Sequence, residues 1–187
     1  MRIMPTSAVF LLYGFIGSAH AADGIQCMFL PAWSEPVQGY SVNLHHVFCG
    51  ESGKKQRAKG FHSMPGGKAP STYVKSNPGA APNAAGVYTL KRIELVFNGK
   101  NYVKSFSSMF PDHCTQVEVV NSIVYASINN IGQCANPGWA KCGPSAPAQT
   151  EPAGYCRGKD GKPFTIAAAL LGKSRINTGF PIFQPGH

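Results

Sequence analysis

The chain has 187 residues, 43% of them hydrophobic, and carries 17 Lys and Arg against 8 Asp and Glu, a net charge of +9. That length suits one ordinary domain with a real core, and no apolar run is long enough to span a bilayer as a helix. The charge narrows the partners to RNA, DNA, anionic lipid or acidic glycans without choosing among them.

The first residues read as an export signal. Arg2 supplies a positive charge, Ala8 to Ile16 an apolar core, and Ala19-His20-Ala21 an A-x-A cleavage site. We therefore expect a signal peptide over 1–21 and a single domain over 22–187. No cysteine stands directly after the cleavage site, so no lipid anchor and no membrane attachment are expected after cleavage. The protein is expected in the periplasm or secreted. Six cysteines follow, at Cys27, Cys49, Cys114, Cys134, Cys142 and Cys156. An oxidising compartment favours three disulfides, with the pairing left open. A zinc site is the rival, but the gaps are irregular and no C-x-x-C is present.

Residues 24–44 give only a weak strand or short-helix signal. His45-His46-Val47-Phe48-Cys49-Gly50-Glu51 follows, then the basic run Lys54-Lys55-Gln56-Arg57-Ala58-Lys59, then Gly60-Phe61-His62-Ser63. Residues 64–86 hold Pro65, Gly66, Gly67, Pro70, Pro78, Gly79 and Pro82, and are expected to form a surface loop without regular structure. Val87 to Phe97 is rich in β-branched and aromatic residues. Asn98-Gly99 marks a two-residue hairpin turn, because both positions tolerate positive φ. Lys100 to Phe110 is the return strand, with Tyr102, Lys104, Phe106 and Ser108 expected on one face.

Thr115-Gln116-Val117-Glu118 is a capping box. Behind it Val117, Val120, Val124 and Ile128 recur at helical spacing with Ile123 beside them, predicting a helix over 115–129 with that stripe in the core. Residues 132–163 are irregular and contain Cys134, Cys142 and Cys156, so stapling is expected to replace missing core there. Phe164 to Leu171 and Arg175 to Phe183 read as two strands joined near Gly172-Lys173. Strands, one helix and more strands predict an α+β fold with an antiparallel sheet.

His46 and His62 flank the basic run. Imidazole takes and gives protons near neutral pH, and a cation nearby can hold a phosphate. The blocks His46-Val47-Phe48-Cys49-Gly50-Glu51, Gly60-Phe61-His62-Ser63, Ser108-Met109-Phe110-Pro111-Asp112 and Ile176-Asn177-Thr178-Gly179-Phe180-Pro181 together resemble the bacterial EndoU endoribonuclease family. The resemblance runs from about Leu44 to Phe183. It implies an EndoU-like antiparallel sheet with packed helices. It also implies cleavage of RNA, often at uridines, to a 2′,3′-cyclic phosphate, by a His-His-Lys triad with a Ser or Thr and an aromatic near the C-terminus.

Carried over residue by residue, His46 and His62 match the histidines, with His62 as base and His46 as acid. Lys104 is matched to the lysine, with Lys100 and then Lys91 as alternatives. Thr178 matches the hydroxyl residue, and Ser108 is a further substrate-binding candidate. Phe180 stands where the family commonly has tyrosine, which keeps a stacking face but removes a phenol hydroxyl. No cofactor is implied for the chemistry. Some relatives need manganese, so a cation effect would not itself mark a hydrolytic metal site. Relatives are often toxin domains, and that role would bring a cognate immunity protein as a partner beside RNA. An export signal without a delivery domain weighs against a contact toxin, and a scavenging role is equally open.

The remaining polar residues have plainer readings. His45 and His113 are taken as structural or surface groups, and His187 as incidental. Glu51 is taken as an acceptor from backbone or lysine, and Cys49 as disulfide-bonded. Two other functions compete: a non-catalytic basic module holding RNA or glycans, and a metal-dependent hydrolase using His45, His46 and Glu51.

Overall fold

A computed structural model describes residues 24–149 and 153–185. The segment read as an export signal, 1–21, lies outside the described residues, as does His187. Among the described residues, three sheets and one α-helix build the fold. Strands β1 (Ser41–Val42), β9 (Arg175–Pro181), β8 (Thr165–Leu171) and β7 (Lys141–Pro144) form a four-stranded sheet in that order. Strands β4 (Tyr73–Pro78), β5 (Tyr88–Phe97) and β6 (Lys100–Met109) form a second, and β2 (Glu51–Ser52) pairs with β3 (Ala58–Lys59). All pairings are antiparallel except the short one between β1 and β9. The architecture is the α+β, disulfide-stapled fold expected.

The local signals explain several of these elements. Asn98 and Gly99 both have positive φ, 49° and 71°, the geometry that matches the twist of the β5–β6 hairpin. Helix α1 (Gln116–Ile128) starts at Thr115, whose hydroxyl accepts from the Glu118 amide while Glu118 accepts from the Thr115 amide. The expected apolar stripe needs correction. Burial is confined to the middle of α1, at Val119, Val120, Ser122, Ile123, Val124 and Ala126. Val117 and Ile128, in the end turns, are exposed. Gly179 explains the seating: a Cβ there would stand 2.6 Å from two side-chain carbons of Ile123, so its lack of a side chain lets β9 and α1 meet.

The expectation of an unstructured loop over 64–86 also fails. Pro65–Gly67 is a 3-10 turn, and β4 runs antiparallel to β5 with two register shifts. β4 lies at the sheet edge, where breakers such as its terminal Pro78 are tolerated. In the irregular 132–163 region one short strand, β7, adds to the main sheet.

All six cysteines pair, as Cys27–Cys49, Cys114–Cys156 and Cys134–Cys142. No thiol is left for zinc. Three disulfides fit a compartment outside the cytoplasm. Among the described residues no helix is long and apolar enough to cross a membrane. Cys27–Cys49 closes a separation of 22 residues onto the turn that carries His46. Replacing both cysteines with alanine is expected to lower stability by about 3 kcal/mol, the loop-closure entropy returned to the unfolded chain. Urea unfolding of the oxidised wild type beside the double variant checks it; equal midpoints would contradict it.

Candidate active site

His46 sits on a five-residue π-helical turn, His45–Cys49. Asn43 sets up this turn: its Oδ1 accepts from the His46 amide at 3.0 Å. Its Nδ2 donates to Glu51 Oε1 at 2.9 Å and to Asn177 Oδ1 at 3.1 Å, tying the turn to β9. Gly50 ends the turn, and the chain returns through β2 and β3 to Gly60. There a Cβ would stand 2.1 Å from the His46 carbonyl oxygen, so only glycine permits the approach. The Phe61 amide donates to His46 O at 2.6 Å, and the His62 amide to Val47 O at 2.7 Å. Fully buried Phe61 is held at φ 62°, a left-handed conformation unusual outside glycine. This contact brings the two imidazoles to 6.0 Å between ring centroids.

The two rings have different partners. His46 Nδ1 lies 2.8 Å from Glu51 Oε2. Glu51 thus accepts from His46 and Asn43, not from the backbone or lysine partners expected. Its carboxyl is held below the usual range, first by the His46 hydrogen bond, and burial opposes this. An ionised carboxylate only accepts, so Nδ1 of His46 carries a proton and Nε2 is left for a substrate. His62 Nδ1 lies 3.1 Å from the Ser108 carbonyl oxygen, which also only accepts, so this Nδ1 carries a proton as well. Burial pushes His62 well below the ordinary histidine value, with Lys104 and then His46 adding to the effect. His62 is therefore neutral at pH 7, with its lone pair on Nε2.

Lys104 is the lysine that reaches this pair. Its Nζ donates to Gly60 O and to Ser107 Oγ (3.0 Å), and lies 3.4 Å from His62 Nε2. Burial lowers its pKa to about 7. Lys91 and Lys100 are exposed on the β5–β6 hairpin and do not line the cleft. Tyr102, Lys104, Phe106 and Ser108 stand opposite Leu95, Ile93, Lys91 and Thr89 of β5 in one register. Lys104 meets Ser107 rather than Ser108, and Tyr102 packs on Phe97 at 5.6 Å. The ladder passes from Lys91↔Phe106 to Ile93↔Lys104, with Arg92 between them at φ 47°. The register is the same on both sides of Arg92, and the long Lys104 side chain reaches the Ser107 hydroxyl three residues on.

Ser107 was not expected at the site. Its hydroxyl donates to Phe61 O at 2.6 Å, lies 3.0 Å from His62 Nδ1 and accepts from Lys104, so it fixes base and lysine together. Buried Ser108 and buried Thr178 line the cleft. Phe180 packs against His62 with ring centroids 4.9 Å apart. The cleft, about 1070 Å³, lies between β6 and the central strands β8 and β9 of the main sheet, with Arg57, Lys59 and Arg92 along it. His45 and His113 are structural: their Nε2 atoms pair with Leu30 O at 2.7 Å and Arg157 O at 3.0 Å. His45 and His46 thus turn to different partners and do not converge with Glu51 on one point. Among the described residues no group of three or more His, Cys, Asp or Glu stands together as a cation site.

A histidine pair with a buried lysine, in a basic cleft of an α+β fold, has the acid-base and cationic groups that nuclease chemistry uses. The chain belongs to the bacterial EndoU nuclease family, whose model matches residues 41–183, from the first residue of β1 to just past β9. No curated protein and no solved structure matches it.

Proposed function

We propose that this nuclease is an exported endoribonuclease that cuts single-stranded RNA by attack of a ribose 2′-hydroxyl on the adjacent phosphorus. One observation carries the reading: the two histidines of one cleft have opposite settings, with Lys104 between the sheets beside them. His62, neutral and with its lone pair on Nε2, takes the 2′-hydroxyl proton. The O2′–P bond forms as the P–O5′ bond breaks, and His46 Nε2 gives its proton to the leaving 5′-oxygen. Ionised Glu51 offers the His46 imidazolium a counter-charge at 2.8 Å. Lys104, protonated, stabilises charge on the non-bridging oxygens. The products are a 2′,3′-cyclic phosphate and a 5′-hydroxyl.

Thr178 and Ser108 line the cleft where the base of the attacking nucleotide would lie. Phe180 without a phenol hydroxyl removes one donor from that base, which loosens preference for uridine. The test is incubation of the oxidised protein with RNA and DNA of one uridine- or thymidine-containing sequence, in EDTA. Cleavage of RNA alone is expected. Binding of RNA by the folded protein without cleavage would replace this reading with a non-catalytic basic module.

A further inference from the structure

The cleft holds an open aromatic face that the chemistry above leaves unused. Phe180 has one face against His62, and Trp139 tilts toward its ring at 6.0 Å and 51°. Trp139 itself lines the cleft and is 63% exposed. An indole in a cleft wall offers a large flat face for stacking.

Its support is rigid. The Cys134–Cys142 disulfide closes the hairpin that carries it, and the Cys134 amide donates to Ala140 O at 2.9 Å. Gln133 pairs with Lys141 across the same hairpin, and the Cys142 amide donates to Gly132 O at 2.9 Å. A ring fixed this way loses little freedom on binding a flat partner. Along the same cleft Arg57 and Arg92 are exposed and form no ion pair among the described residues. Cations that track a phosphate backbone, with an open aromatic ring beside them, are the parts of a single-strand nucleic-acid groove.

We infer that Trp139 is a second base platform, stacking the nucleobase that flanks the scissile phosphodiester, while Arg57 and Arg92 hold the neighbouring phosphates. This rests on the RNA-cleaving reading and adds a subsite to it. The enzyme then recognises at least two adjacent nucleotides, one at the histidines and one on the indole. Trp139 acts in binding and not in bond breaking.

Two readouts test it separately. Trp33 and Trp139 are the two tryptophans, and Trp33 lies under the Arg175 guanidinium at 5.0 Å, among residues that do not line this cleft. Titration with an uncleavable 2′-deoxy hexanucleotide should quench fluorescence in the wild type and in Trp33→Phe, and not in Trp139→Ala. On a cleavable RNA hexamer, Trp139→Ala should raise KM about tenfold with kcat within about twofold, and Trp139→Phe should recover most of the loss. On an RNA with abasic residues on both sides of one intact nucleotide, wild type and Trp139→Ala should be equal. Quenching that persists in Trp139→Ala, or an unchanged KM on the intact hexamer, would overturn the platform. Trp139-dependent quenching without RNA cleavage by the wild type would instead sink the RNA-cleaving reading and leave the platform standing.

Discussion

Alanine at His62 is expected to slow RNA cleavage by between roughly 10² and 10⁴-fold, and alanine at His46 by a similar factor. The two losses should differ in kind. A base is needed whatever the leaving group, because the 2′-hydroxyl must lose its proton. An acid is needed only when the leaving oxygen is a poor one. On a uridine 3′-aryl phosphate, whose phenolate leaves unaided, His46→Ala should regain most of its activity while His62→Ala stays slow. The proposed order rests on the two environments: His62 Nδ1 faces a carbonyl in a buried, cationic setting that keeps the ring neutral. His46 Nδ1 faces the Glu51 carboxylate at 2.8 Å. Rescue of His62→Ala instead would exchange the two roles. Both variants should be compared by unfolding as well, since His62 also packs on Phe180.

Lys104 gives the second large effect. Removing it as Lys104→Ala should cost about 10²- to 10³-fold in kcat, the usual loss when one preorganised donor to a developing oxyanion goes. Its pKa of about 7 adds a pH signature. The protonated form serves the phosphate, so kcat/KM should fall as pH rises through about 7, whereas the acid limb set by His62 lies below its ordinary value. Arginine stays charged throughout, so Lys104→Arg should keep part of the activity and lose the Lys104 share of the fall, leaving the share set by the His46 acid. A profile unchanged in Lys104→Arg would contradict the assignment.

Stability follows with a definite sign. The folded pKa of about 7 lies below the lysine reference value of 10.5, so between them the unfolded chain binds more protons. Wild-type stability should therefore rise, relative to Lys104→Met, as pH climbs from about 7 toward 10.5. It should fall again as pH drops back through 7. Thermal unfolding of both proteins at the two ends of this window reads the difference.

Much of this was legible because the signals were local. Asn98-Gly99 specifies its own turn and Thr115 with Glu118 its own cap, so the hairpin and α1 could be placed from a few residues each. The histidine pair and Lys104 stood out by chemistry and by resemblance to known blocks. What was hidden depends on contacts between distant segments. Asn43 and Asn177 are ordinary asparagines until the β1–β9 pairing brings them to 3.1 Å. Ser107 seemed to face away from Lys104 because alternation puts odd and even positions on opposite faces and does not show how far a lysine side chain reaches. The face of α1 shifted because the sheet covers only its middle, and residues in the first and last turns stay in water whatever their period. Trp139 carries no local signal: its meaning comes from Phe180 and from a disulfide whose partners the spacing left undecided.

The central claim is that the substrate's own 2′-hydroxyl is the nucleophile, delivered by His62. A short RNA with one cleavage site, incubated with the oxidised protein and followed by phosphorus NMR, tests it most directly beside the same RNA carrying a single 2′-deoxy nucleotide at that site. The account predicts a 2′,3′-cyclic phosphate signal from the first and no cleavage at the altered site of the second. Cleavage at the 2′-deoxy position, or a linear phosphate as the first-formed end, would contradict it.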